Sequence, residues 1–457
     1  MFSKGEDRRQ PDDGMPDKRR HFAQSLSNAT ENSPHDDAQD YLMGVRGCLA
    51  IMSFLWVFLQ TYVPGAVAHS ANTVAPAYQS ALQKSLSILF WNDSLIYSSI
   101  IFLSARMICL PFLLDSSKVV LASSVVRRGI RLWLPTAACL IVVYVVFTKN
   151  YAVSTPDGLQ ITYLEEFANA TSNYAMPSNL TVLTNSLANF NAIFDVFWVT
   201  QDFRYQAANM AFPTQTLWIV SALFQQSYTV YTTMVIIPYT RKTWRLWGAA
   251  VFILTAWWVY SWAWFSITAL LFADLVMNMN LQAKLQNHHI LTTTIALLSL
   301  SAGYFMMFYW VAARPDLQFA EINFHTGPYN TGGIYTDNDT TAPMLRADNY
   351  LVIVGFYLLL EMSDVLQRVF RNPALVFLGK RSYGYFLLQS IIVYTLGIRL
   401  TLDRIRTDVD LSGYPAATGI AFASTLAVTF AAGEVFYWLI DLPTQQFAKM
   451  FFHWLRQ

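Results

Sequence analysis

The chain has 457 residues, of which 54% are hydrophobic, 15% aromatic and only 13% charged, and its net charge is +1. Soluble domains carry roughly 25% charged residues, and here the apolar surplus falls in blocks long enough to cross a bilayer, which takes about 20 residues each. An ordinary soluble domain is excluded, and the near-neutral charge, with no basic face interleaved with aromatics, gives no sign of a nucleic-acid partner.

In chain order, residues 1–40 are rich in Asp, Arg, Pro and Ser and too poor in large apolar residues to offset the entropy of ordering. They read as a disordered tail without a cleavable signal peptide, so the first spanning helix is expected to act as the targeting signal. Apolar blocks follow at about 47–63, 95–114, 132–148, 217–238, 247–262, 264–280, 290–312, 349–366, 383–399 and 415–440. They predict an all-α integral membrane protein of about ten transmembrane helices. The block at 217–238 is interrupted by Gln225, Gln226 and Ser227, and the pair over 247–280 also reads as one helix and a re-entrant piece. The domain division is then 1–40 as a cytosolic tail, 41–445 as the transmembrane domain and 446–457 as a short C-terminal tail.

Basic residues of short loops set orientation. Lys4 to Arg20 before the first helix, Lys118 to Arg131 before the third, Arg241 to Arg245 after the fourth and Arg368 to Arg381 before the ninth share one face if ten helices alternate. Both termini are therefore expected in the cytosol. The long opposite loops carry the sequons of Asn169, Asn179 and Asn338, glycosylation sites if they face a lumen. Cys48, Cys109 and Cys139 all sit within apolar blocks and read as small packing residues rather than a disulfide framework.

Charges in hydrocarbon are costly and usually face a bundle interior. Arg46, in YLMGVRG at the mouth of the first helix, reads either as a snorkelling anchor or as a site residue; Arg106 lies deeper in its block, where snorkelling is harder. In VVRRGIRLWLP, Arg128 and Arg131 stand three apart and share a helix face. Such a guanidinium pair suits phosphates, although a basic cytosolic loop alone also explains it. Glu361, Asp274, Asp364 and Glu434 are the acids within apolar blocks, and Glu361 is read as the partner of a buried Arg or as a site residue. Gln60 and Gln389 are neutral but costly to bury unpaired. All seven histidines lie outside the blocks, His69 following the first helix closely, and no metal-binding motif appears.

These segments together resemble the membrane acyltransferase 3 family, in the form common among filamentous fungi, over about 41–445. YLMGVRGCLAIMSF is similar to its opening helix, IIFLSARMICLPFLL to the second, VVRRGIRLWLP to its arginine loop, and LWIVSALFQQSYTVY to the helix after it. WFSITALLFADL, LGKRSYGYFLLQ and FYWLIDLPTQQFAK match later landmarks in order. The resemblance implies transfer of an acyl group, often acetyl, from acyl-CoA as co-substrate, with no bound cofactor. The acceptor it suggests is a hydroxyl of a small molecule or lipid, such as a fungal secondary metabolite. It implies Arg46, Arg128 and Arg131 as donor-binding residues, Gln60 and Gln389 at the transfer site, and Arg106, Trp218 and Glu361 lining the pocket. An endoplasmic reticulum or other secretory-pathway membrane is the expected location.

Three positions depart from the family's pattern. Val57 stands eleven residues after Arg46, where the family carries a His that serves as general base. Leu223 replaces a motif Glu and Gln389 a second His. Gln has no side-chain base of useful strength, which opens the rival expectation of a non-acylating membrane enzyme, or an inactive relative that binds a hydrophobic ligand.

Overall fold

The computed structural model describes residues 40–67, 76–150, 152–154, 160–171, 186–197, 206–279, 281–315, 321, 345–407 and 414–457. The expected tail, apart from Asp40, lies outside them, as do His69, His325, Asn179 and Asn338. The described chain is almost entirely helical, with one small antiparallel hairpin pairing β1 (Ala152–Ser154) with β2 (Gln160–Thr162).

The principal helices are α1 (Asp40–Tyr62), α2 (Asp93–Leu114), α3 (Lys118–Asn150), α4 (Trp218–Met234), α5 (Lys242–Trp258) and α6 (Ala263–Asn278). They continue as α7 (His289–Phe308), α8 (Ala347–Met362), α9 (Asp364–Phe370), α10 (Pro373–Ile392), α11 (Tyr414–Phe436) and α12 (Leu442–Arg456). Every apolar block of the sequence coincides with a helix. Six helices among the described residues are long and apolar enough to cross a membrane, or seven if α8 and α9 form one span broken by a 103° bend. The other three blocks are α4, α5 and α6, of 17, 17 and 16 residues, short of an 18-residue span.

The arginine segment expected as a loop is helix. Continuous structure from Lys118 places Arg127, Arg128 and Arg131 in the first half of the 33-residue α3. At 1.5 Å per residue that helix runs about 50 Å, well beyond a hydrocarbon core of about 30 Å. Its first turns are rich in Val and Ser, weak helix formers, and it runs through Gly129 and Pro135 alike, so packing rather than local propensity holds it continuous. The C-terminal segment likewise continues as α12 through a π-helical turn at Tyr437–Asp441.

Helices α1 and α10 pack backbone against backbone. A side chain at Gly47 would overlap the carbonyl oxygen of Leu375, and one at Gly379 that of Met43; at Gly44 it would overlap the carbonyl of Phe370, the last residue of α9. Close approach through glycine is how membrane helices gain van der Waals contact without a hydrophobic drive between them. The motif glycines around Arg46 therefore have a structural cause of their own. The polar interruption of α4 also has one: the Gln226 amide oxygen accepts from the Ser266 hydroxyl of α6 at 2.8 Å. Cys109 and Cys139 are buried and unbridged, Cys48 is half-buried and free, and all three sit in helices as packing residues.

Candidate functional site

Three of the arginines singled out from sequence, Arg46, Arg128 and Arg131, are electrostatic neighbours. Arg128 donates from Nε to the Ser227 hydroxyl at 2.9 Å and from Nη2 to the Ser104 hydroxyl at 2.6 Å, which fixes it between α4 and α2. One turn on, Arg131 is exposed. Arg46, from α1, has Arg131 and Asp441 as electrostatic neighbours, and Arg128 has both Arg131 and Arg46. Three guanidiniums from two helices thus lie in one another's fields, with Asp441 the neighbouring carboxylate and the Tyr383 hydroxyl beside them. Arg46 completes no hydrogen bond or ion pair among the described residues. Tyr383 is itself held by Thr136 at 2.7 Å and by the Leu132 carbonyl at 3.0 Å.

From this mouth a polar line runs along α1. Arg46, Ser53 and Gln60 recur every seven residues and so share one helix face. Ser53 lies about 10 Å deeper than Arg46 at 1.5 Å per residue. It is buried and accepts from Gln389 Nε2 of α10 at 2.7 Å. Gln60 is half-buried, two further turns along, and pairs with neither Ser53 nor Gln389. The structure thus brings Gln389 to Ser53 rather than to Gln60.

Around the Ser53–Gln389 bond the polar groups are uncharged and incompletely paired. The Tyr97 hydroxyl has Ser53 and Thr216 as polar neighbours yet completes no hydrogen bond. Trp56 Nε1, Ser98 Oγ and Gln389 Oε1 are also buried and unpartnered. Thr214 links this group to α10 by a 2.7 Å bond with Ser390 and a 2.9 Å bond with Thr216. An aromatic wall stands beside it: Trp56 on Tyr97 at 5.6 Å, Tyr97 on Trp218 at 5.4 Å, and Trp218 on Trp262 at 5.7 Å between ring centroids. Burying a polar group without a partner costs roughly 1–3 kcal/mol. Tyr97, Trp56 and Gln389 thus carry hydrogen-bonding capacity that the described residues do not use.

Two of the pocket-lining candidates do something else. Arg106 and Glu361 are fully buried and form an ion pair, and Tyr41 donates to the same Glu361 oxygen at 2.9 Å. This cluster ties the start of α1 and the middle of α2 to the end of α8, next to its bend. Arg106 Nε and Nη1 remain without partners, as does the Tyr357 hydroxyl, whose ring packs on Phe102 at 4.6 Å. Of the remaining acids of the apolar blocks, Asp274 pairs with Arg245 at 3.0 Å and Glu434 with Arg381 at 3.0 Å, while Asp364 is exposed in the first turn of α9.

Leu223 is at the edge of burial and Val57 is wholly buried, both in apolar packing. The described histidines, His288, His289 and His453, are all exposed. No group of three or more metal-ligating side chains occurs among the described residues. Asn169 falls on the helix Tyr163–Thr171. Sequence reasoning missed Ser53, Tyr97, Thr214, Thr216, Ser390 and Asp441. For Ser53 the signal was available in its seven-residue spacing from Arg46; the others come together only through tertiary packing.

The chain matches no family model, no curated protein and no solved structure. Fold and site alone therefore define its class: an almost entirely helical protein with six helices among the described residues long and apolar enough to cross a membrane, a cluster of three arginines and a set of buried uncharged polar groups around Ser53.

Proposed function

We propose that this chain is a membrane-bound O-acyltransferase that moves an acyl group from acyl-CoA to a hydroxyl of a small-molecule or lipid acceptor. The observation that carries the reading is the convergence of Arg46, Arg128 and Arg131. Three like charges repel one another, so their clustering is stabilised by an anion, and guanidiniums suit phosphate geometry. The phosphates of coenzyme A would lie there, with the thioester reaching toward Ser53. Gln389 Nε2, the Tyr97 hydroxyl and Trp56 Nε1 are donors of the kind that stabilise the oxyanion of a tetrahedral intermediate. In this reading the chain has ten spans, cytosolic termini and glycosylation at Asn169, Asn179 and Asn338, in the endoplasmic reticulum or another secretory membrane.

A second reading has support of its own. Val57 and Gln389 stand where the resembling family carries histidines, and the described histidines are exposed. An acyltransferase-like protein that binds a hydrophobic ligand without transfer fits that loss. Microsomes bearing the full chain, incubated with labelled acetyl-CoA, separate the two. Transfer that fails in Arg128→Ala and Arg131→Ala supports the first. Binding of coenzyme A that is indifferent to those substitutions sinks it, and retained binding with no transfer to lipid or metabolite pools favours the second.

A further inference from the structure

Two non-glycine residues among those described hold a positive φ, Gln215 at 52° and Tyr260 at 58°. A Cβ makes that region costly, and residues are kept there where the surrounding structure demands it, often at functional sites. Tyr260 has a local cause. Its amide donates to the Trp257 carbonyl, and that of Ser261 donates to the Ala256 carbonyl five residues back, the pattern of a helix closed by a left-handed residue. Gln215 closes no such helix. Its amide donates to the Phe212 carbonyl at 2.9 Å in the turn that leads into α4. Glycine would fill that position without strain, yet a glutamine stands there. It is half-buried, and its side-chain amide completes no hydrogen bond with the described residues.

The residues on either side tie this turn to the transfer site. The Thr214 and Thr216 hydroxyls are 2.9 Å apart, and Thr214 shares a 2.7 Å hydrogen bond with Ser390. Ser390 follows Gln389, whose Nε2 donates to Ser53 and whose Oε1 is unpartnered. The left-handed backbone at Gln215 therefore joins the entrance of α4 to the edge of α10 that carries Gln389. Every side chain in this chain of contacts is uncharged.

We propose that Gln215 is a specificity-determining residue whose side-chain amide takes a second polar group of the acceptor, close to the hydroxyl that is acylated. The inference rests on the acyltransferase reading and names the acceptor class: a neutral molecule with two neighbouring oxygen functions, in preference to a simple alcohol. An amide both donates and accepts, so it serves a hydroxyl, an ether or a carbonyl. A charged acceptor would find no counter-ion among these groups, and leaving a charge unpaired in a buried site is costly. Holding the acceptor at two points fixes which of its hydroxyls reaches the thioester.

The test uses the purified full chain with labelled acetyl-CoA and two probe acceptors, n-decanol and decylglycerol ether, which adds a neighbouring hydroxyl and an ether oxygen. Wild-type protein is expected to favour the glycerol ether in kcat/KM by about tenfold, the scale of one hydrogen bond. Gln215→Gly is expected to bring that ratio to about one. Its rate on n-decanol and its thermal midpoint should stay at or above the wild-type values, because glycine keeps the left-handed turn without strain. Gln215→Asn also tolerates that backbone; it should keep part of the ratio, and it carries the test if the glycine variant does not fold. A ratio unchanged in the folded variants overturns the inference. An equal loss of rate on both probes assigns Gln215 to the turn alone and also overturns it. Wild-type protein that acylates both probes without preference overturns the inference and leaves the acyltransferase reading standing. Transfer to neither probe nor to water overturns both.

Discussion

Gln389 donates to the Ser53 hydroxyl at 2.7 Å between two buried helices, while its own Oε1 accepts from nothing. A half-used amide in a low-dielectric interior is an unfilled acceptor waiting for a donor, and the O–H of an incoming alcohol is one. Hydrogen bonds between membrane helices contribute only about 0.6 kcal/mol on average. Gln389→Leu should therefore lower thermal stability in detergent by about 1 kcal/mol or less. The same change should cut acyl transfer by about 10²-fold, because it removes the Nε2 donor available to the oxyanion together with the Oε1 acceptor for the alcohol. A large loss of stability with transfer per folded molecule preserved would make Gln389 a structural residue.

The Arg106–Glu361 pair predicts the opposite pattern. Removing one member of a buried ion pair strands the other charge and costs roughly 3–5 kcal/mol, whereas apolar replacement of both is often neutral. Arg106→Met alone should lower the unfolding midpoint sharply, because Glu361 and the Tyr41 hydroxyl that donates to it lose their cation. Arg106→Met with Glu361→Leu should recover most of the loss. A double variant as unstable as the single one would mean that the unpartnered Nε and Nη1 of Arg106 serve a ligand rather than the fold.

The helices were legible in the sequence because the membrane imposes length and hydropathy on each separately; every block found its helix. What failed to show was continuity. The arginines of VVRRGIRLWLP read as a loop because charge usually marks one, yet α3 runs through them from Lys118. The roles of Arg128 and Glu361 were half visible: a buried charge demands a partner, but only packing reveals that the partners are Ser104 and Ser227 for one and Arg106 for the other. The buried polar cluster around Ser53 was hidden for the same reason. Tyr97, Ser53 and Thr216 are ordinary residues in their own segments, and their common environment depends on α1, α2 and the chain before α4 meeting.

Glycine packing between α1 and α10 gives a prediction that needs no assumption about function. A β-carbon at Gly379 would collide with the Met43 backbone, whereas one at Gly248 or Gly419 meets nothing within 4 Å. Gly379→Val should leave little folded protein by fluorescence-detected size exclusion, and Gly248→Ala and Gly419→Ala should match the wild type. Normal yield of Gly379→Val would mean that α1 and α10 are able to separate without loss of the fold.

Asp441 offers the sharpest test of the cationic mouth, because it is the acid that neighbours Arg46. Its charge opposes the same anion that the arginines attract. At an effective dielectric constant near 20, two charges about 8–10 Å apart interact by roughly 2 kcal/mol, screened further where water enters. Asp441→Asn should thus tighten coenzyme A binding by about tenfold or less, while Arg131→Ala weakens it, and raising salt should shrink both effects. Isothermal titration with coenzyme A, and with dephospho-coenzyme A as the lower-charge control, reads this directly. Weaker binding in Asp441→Asn would mean that the carboxylate holds Arg46 in a binding-competent position, and the mouth would then work by geometry more than by field.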